Sequence, residues 1–281
     1  MKEIYIVSKN KIVLQNSLQY VLKEILVLLP AKIFTVIIKK LLISENLKLR
    51  LNACIILKNK IEMESKNTNT ESTAIELLPN IIKNTFKKEF KLTCVGLECV
   101  NVIAQKYGEN NSTIFFQILD NIIEDGLKNG NKDTQILSII CIKAISVYLG
   151  PRLLPKLPNF IPYILKEVKD SNDDILEITI YSLIEELINL IPSFMSSYTK
   201  LILESCFYKN PTENKELNTI RNSLKNTVAK HLPLKVTIVF QLDLLETTLK
   251  NSKKEDIEKN SLQLFNFFLT IFNIKEETYY Y

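Results

Sequence analysis

Apolar residues recur at spacings of three and four along most of the chain, in stretches long enough for helices and separated by short polar breaks. Leu176, Ile180, Leu183, Leu187 and Ile191 form one such stripe, preceded by Asn172 and Asp173 as candidate N-caps. The pattern predicts helices over 12–28, 31–43, 47–61, 73–88, 90–107, 113–127, 132–149, 158–169, 174–190, 193–208, 214–230, 234–249 and 254–272. In the last of these the stripe Leu262, Phe265, Leu269 and Phe272 is expected to be buried, with Phe268 closing the array.

Several breaks carry the same tag, an aliphatic pair followed by proline: Leu28-Leu29-Pro30, Leu77-Leu78-Pro79, Leu153-Leu154-Pro155 with Leu157-Pro158, Leu190-Ile191-Pro192, and Leu232-Pro233. Proline at a helix start loses no hydrogen bond, whereas in the interior it breaks one, so each tag is expected to separate two helices. With one degenerate boundary near Asn111–Thr113, the tags recur about every 41 residues, the period of HEAT and armadillo repeats. Leu78-Pro79-Asn80-Ile81-Ile82 and Leu157-Pro158-Asn159-Phe160-Ile161 repeat the same pattern two periods apart. Polar turns at Ser44-Glu45-Asn46, Lys128–Asn131 and Asp170–Asp174 divide the units into two helices. The predicted fold is all-α, an α-solenoid of HEAT- or armadillo-like helical repeats over residues 1–230, with 231–281 a terminal repeat continuous with it. Glu64–Ser72, polar and free of aliphatics, is expected to be a mobile loop, and Tyr279-Tyr280-Tyr281 to be frayed or docked on the last repeat.

Composition narrows the chemistry. Five Gly and nine Pro are too few for a many-stranded sandwich or a Gly-rich nucleotide loop. Cys54, Cys94, Cys99, Cys141 and Cys206 are dispersed and mostly flanked by aliphatics, which reads as reduced, buried small hydrophobes. His231 is the lone histidine, next to a Leu-Pro helix start, where it suits the end of the preceding helix better than proton transfer or metal ligation. Glu185-Glu186 reads as a solvated surface and Asp173-Asp174 as a cap. No catalytic, cofactor-binding or metal-binding motif is present, so an enzyme, a cofactor and a metal are not expected. No membrane partner is expected either, the Ile25–Ile38 stretch being interrupted by Pro30 and Lys32.

The net charge of +5 is a weak bias toward polyanions. Lys83, Lys87, Lys88 and Lys91 would line one face if their helix continued past Lys88, and they are the candidate contact for RNA or for an acidic protein. Lys32, Lys39, Lys40, Lys48 and Arg50 form a second cluster, and for both the plain alternative is a solvated face. The unusual run Tyr148-Leu149-Gly150-Pro151-Arg152-Leu153-Leu154-Pro155-Lys156-Leu157-Pro158 is expected to end a helix at Gly150 in a left-handed conformation and to continue along a stiff extended path.

The stretch LGPRLLPKLPNFIPYILKEV resembles a repeat of the U3 small nucleolar RNA-associated protein 10 family, the large HEAT-repeat component of the small-subunit processome. Ile37–Glu62 is similar to a helix, turn and basic helix of that family, with Arg50, Ala53, Leu57, Lys60 and Ile61 at matching places. Ser261, Gln263, Leu264, Phe267, Phe268 and Leu269 resemble a helix at the start of its C-terminal domain. The resemblance implies a non-catalytic scaffold in the nucleus and nucleolus, serving 18S pre-rRNA processing and ribosome biogenesis. Its partners would be proteins of a large ribonucleoprotein assembly, with pre-rRNA or U3 snoRNA met by weak electrostatic contact. Members of that family are much longer, so the chain would correspond to a C-terminal portion. A HEAT-repeat adaptor in transport or in another protein complex is the alternative.

Overall fold

The computed structural model describes residues 29–66, 68–86, 89–208, 213–251, 261–262 and 264–271, together with Val21 and Ile25. The predicted helix over 12–28 falls outside these apart from its isolated described positions, as do Lys87, Lys88, Phe272 and Tyr279-Tyr280-Tyr281. The chain is an α-solenoid of HEAT-like helix pairs, with no strand among the described residues.

Two compact units follow one another, residues 1–111 and 112–281. In the first, α1 (Ala31–Leu42) pairs with α2 (Leu47–Met63), and α3 (Thr68–Thr85) with α4 (Phe90–Tyr107). α1 packs on α3 and α2 on α4, so like helices stack. In the second unit α5 (Ser112–Asn121) widens into π turns over Ile122–Lys128 and pairs with α6 (Lys132–Leu149). A 3₁₀ segment, Gly150–Lys156, then leads into α7 (Leu157–Asp170), which pairs with α8 (Asp174–Leu190). The remaining helices are α9 (Pro192–Met195), α10 (Thr199–Tyr208), α11 (Lys215–His231), α12 (Leu234–Asn251) and α13 (261–271). Here too like helices stack, α6 on α8 and α8 on α11, with α10 against α7 and α12.

The repeat period is written in the polar contacts between stacked helices. In the first unit Thr35 donates to Thr73 at 2.9 Å across 38 positions, and Lys58 pairs with Glu98 at 2.7 Å across 40. In the second, Lys143 donates to Ser182 across 39 positions, Arg152 to Ser112 across 40 and Asn214 to Asp174 across 40. Each joins equivalent places of successive pairs, which is why the spacing matches the period read from the proline tags. The second helix of a pair usually opens on a side-chain cap: Asn46 accepts from Lys48 N, Asn131 from Thr134 N, Asp173 from Ile175 N and Leu176 N, and Asn214 from Glu216 N and Leu217 N.

Four local expectations need correction. Pro79 lies inside α3 and does not mark a boundary. Its ring is exposed, so the carbonyl it strands can be hydrated, while Leu77, Leu78, Ile81 and Ile82 are buried on the opposite side. Burying four aliphatics at roughly 1.5–3 kcal/mol each outweighs the ~3 kcal/mol cost of an interior proline. The expected mobile loop over Glu64–Ser72 is short and tethered. Glu64 pairs with Lys60 at 2.6 Å and accepts from Thr70, Lys106 donates to the carbonyls of Ile61 and Glu64, and α3 begins at Thr68.

The path after Gly150 is 3₁₀ rather than extended, although Gly150 does take a positive φ of 49°. With ψ at −127° it occupies the mirror-β region that only glycine enters freely, not the left-handed helical one. Finally, α13 turns its other stripe inward. Leu264, Phe267 and Ile271 are buried, whereas Leu262, Phe265 and Leu269 are exposed. Phe267 lies 5.6 Å from the Phe207 ring, and Gln241 on α12 donates from its amide to the Leu264 carbonyl, which together select that face.

Candidate nucleic-acid interface

Helix α3 stops at Thr85, so Lys83 and Lys91 do not share one helix face. The stop has a physical cause. Thr93 donates its hydroxyl to the Thr85 carbonyl at 2.7 Å, and Gly96 lets α4 approach so closely that a Cβ there would stand 2.2 Å from Thr85 Oγ1. Lys83 therefore stands in the last turn of one helix and Lys91 in the first turn of the next, both exposed, and Lys87 and Lys88 lie outside the described residues.

The second basic cluster divides. Lys39 pairs with Glu76 at 3.3 Å, and Arg50 donates to the carbonyls of Ser44 and Glu45, clipping the α1–α2 turn. Lys40 and Lys48 stay exposed at the end of α1 and the start of α2. Each stands about one repeat before Lys83 and Lys91 respectively, and like helices stack in parallel, so the solenoid assembles the four on one turn edge of the first unit. None of the four forms an ion pair with a described residue. Sequence spacing alone could not join the two clusters. The repeat period was the signal that could have done so.

The matching turns of the second unit differ. Lys128 is paired with Glu124 and Lys169 with Glu204, each at 2.7 Å, and Asp173 is committed to its cap. Glu185, expected on a solvated surface, accepts from Ser223 at 2.6 Å and Thr227 at 3.0 Å and joins α8 to α11. His231 is the last residue of α11. Burial pushes the Cys54 thiol up to about 12 and the Cys206 thiol up to about 11, away from the thiolate that nucleophilic chemistry needs.

No family model matches the sequence. The chain is similar to U3 small nucleolar RNA-associated protein 10 of Schizosaccharomyces pombe, 26% identical over 275 residues that cover 90% of this chain and 16% of that protein. The protein of the same name from Debaryomyces hansenii is 28% identical over 255 residues, covering 81% and 14%. Human HEAT repeat-containing protein 1 is 20% identical over 293 residues, covering 91% and 14%. The chain thus spans about one seventh to one sixth of the length of these curated relatives. Among solved structures it is similar in fold to yeast importin-beta (Kap95p), with a TM-score of 0.56 at 15% identity over 83% of this chain and 30% of that one. The Kap95p chain in a structure with RanGDP gives a TM-score of 0.58, also at 15% identity, over 86% and 31%. The resemblance read from the sequence and the solenoid fold are both borne out.

Proposed function

We propose that this chain is a non-catalytic HEAT-repeat scaffold of the small-subunit processome that supports 18S pre-rRNA processing and ribosome biogenesis in the nucleolus. The observation that carries the proposal is the similarity, over about nine tenths of the chain, to proteins named for their association with U3 small nucleolar RNA. In this reading residues 1–230 are HEAT-like repeats and 231–281 the terminal repeat. Stacked pairs present many exposed positions on a fixed backbone, so partner proteins of a ribonucleoprotein assembly supply most of the binding energy through many modest contacts.

Pre-rRNA or U3 snoRNA meets the cluster Lys83, Lys87, Lys88 and Lys91, of which Lys83 and Lys91 stand on the turn edge of the first unit, with Lys40 and Lys48 one repeat earlier on that edge. These are point charges without a base-stacking platform, so the contact is electrostatic and salt-sensitive. A transport adaptor is the weaker reading, because the likeness to importin-beta is one of fold at 15% identity and fold does not carry function. Affinity purification of the tagged chain from its native cells, with sequencing of bound RNA and mass spectrometry of bound protein, separates the two. Enrichment of U3 snoRNA, pre-rRNA and processome proteins is expected. Recovery of a cargo set without U3 snoRNA would contradict the proposal.

A further inference from the structure

The Gly150–Lys156 segment and the start of α5 enclose an open groove of about 420 Å³, lined by Thr113, Phe116, Pro151, Arg152, Leu154 and Pro155. We propose that this groove, which lies wholly within the second unit, is a docking site for a short acidic segment of a partner protein. The segment seats an aliphatic or aromatic side chain against Phe116 and Leu154 and sets a carboxylate on Arg152.

Three features converge on that occupant. The wall is preformed, because the positive φ of Gly150 sets the exit from α6, Pro151 and Pro155 fix their own φ, and Pro158 holds the first turn of α7. A groove with little freedom to lose binds a short peptide without an ordering cost of its own. The lining is mostly apolar, yet Pro151 and Pro155 are exposed and Phe116 and Leu154 half-buried, so this surface still meets water.

The charge then chooses the ligand. Arg152 is exposed, and its Nη1 donates to Ser112 Oγ at 2.7 Å, which steadies the guanidinium at the groove while leaving its other donors available. No carboxylate among the described residues forms an ion pair with it, and none lines the groove. Asp120, on the same helix as Phe116, is already committed. Lys156 Nζ lies 2.6 Å from both of its oxygens and 4.8 Å over the Phe116 ring. A carboxylate two or three residues from an apolar side chain complements this arrangement, and a guanidinium binds carboxylates in a fixed geometry. Nucleic acid fits it less well, since a phosphate backbone calls for a row of uncompensated cations.

The test is selection of a displayed random dodecapeptide library on the full chain, followed by affinity measurement of the winners on variants. Arg152→Glu reverses the charge and Thr113→Trp fills the groove, and both positions are exposed, so circular dichroism should show both variants folded like the parent. Winners are expected to carry Asp or Glu within three positions of Leu, Ile, Phe or Tyr. Each variant should weaken them about tenfold or more, the scale of one lost charge-assisted contact or one blocked pocket. A Lys83→Gln/Lys91→Gln variant should bind them unchanged. The proposal is overturned if no peptide is enriched, if the consensus is neutral or basic, or if binding survives Arg152→Glu. It is equally overturned if Thr113→Trp abolishes self-association or RNA binding instead, which would make a second copy or a nucleic acid the occupant. If the Lys83→Gln/Lys91→Gln variant abolishes peptide binding, the site is the basic edge and the groove is not involved.

Discussion

Arg221 on α11 and Glu177 on α8 form an ion pair at 3.3 Å, with side chains 4% and 2% exposed, in the interior of the second unit. The guanidinium lies 5.9 Å from the Tyr181 ring, and the Tyr181 hydroxyl donates to the Ser205 carbonyl at 2.9 Å. The contact spans 44 positions, about one repeat, and so belongs to the same polar series that joins the other stacked helices. Breaking it from one side strands a buried charge, whereas replacing both partners removes the desolvation cost as well. Arg221→Met should lower stability by about 3–5 kcal/mol, and Arg221→Met with Glu177→Leu by at least ~2 kcal/mol less than that. Urea titration of the two single variants and the double variant measures this. A single-variant loss below about 1 kcal/mol would show that water reaches the pair.

Lys225 sits beside this pair, with Nζ 4.3 Å from the centre of the Phe207 ring. Burial lowers its pKa from the usual ammonium value, the Cys206 thiol opposes that shift, and the Arg221 guanidinium adds to it. The unfolded chain then binds the Lys225 proton more tightly than the folded one. The stability this shift contributes is present above the unfolded pKa and is lost as pH falls through the folded value. Lys225→Met should therefore be more stable than the parent at pH 7, with the advantage shrinking toward pH 10. Denaturant midpoints for both proteins across that range test the sign, and an advantage that grows with pH would contradict it.

Phe267 and Phe265 provide a second contrast in stability. Phe267 is 5% exposed and stacks at a tilt on Phe207, whereas Phe265 is 58% exposed. Phe267→Ala should cost about 3–5 kcal/mol and Phe265→Ala less than about 1 kcal/mol, read from urea unfolding. The reverse order would restore the inward face expected from the sequence.

That reversal shows where sequence reading reaches its end. Helix existence was legible throughout the middle of the chain because apolar residues recur at spacings of three and four, as in α8, where Leu176, Ile180, Leu183 and Leu187 are all buried. In α13 both stripes are apolar, so the period of 3.6 identifies a helix without saying which face turns inward. The partners Phe207 and Gln241 decide that, and both lie in other helices. Proline tags located the starts of α1, α7, α9 and α12, but Pro79 misled because its cost is set by exposure, which sequence does not display. The basic clusters were legible as composition. Their common edge was not, because Phe86-Lys87-Lys88-Glu89 contains no glycine, proline or asparagine to announce that α3 ends at Thr85.

The proposed RNA contact rests on charge, on the turn edge of the first unit. Titrating labelled single-stranded RNA with the full chain at several salt concentrations measures this contact. The comparison is with a Lys83/Lys87/Lys88/Lys91→Gln variant and with the same variant carrying Lys40→Gln and Lys48→Gln. Four lysines that each neutralise one phosphate contribute about −3 to the slope of log affinity against log salt. Weak, salt-dependent binding by the parent is expected, with loss of about that much slope in the first variant and further loss in the second. Tight binding with little salt dependence, or an unchanged slope in both variants, would contradict it.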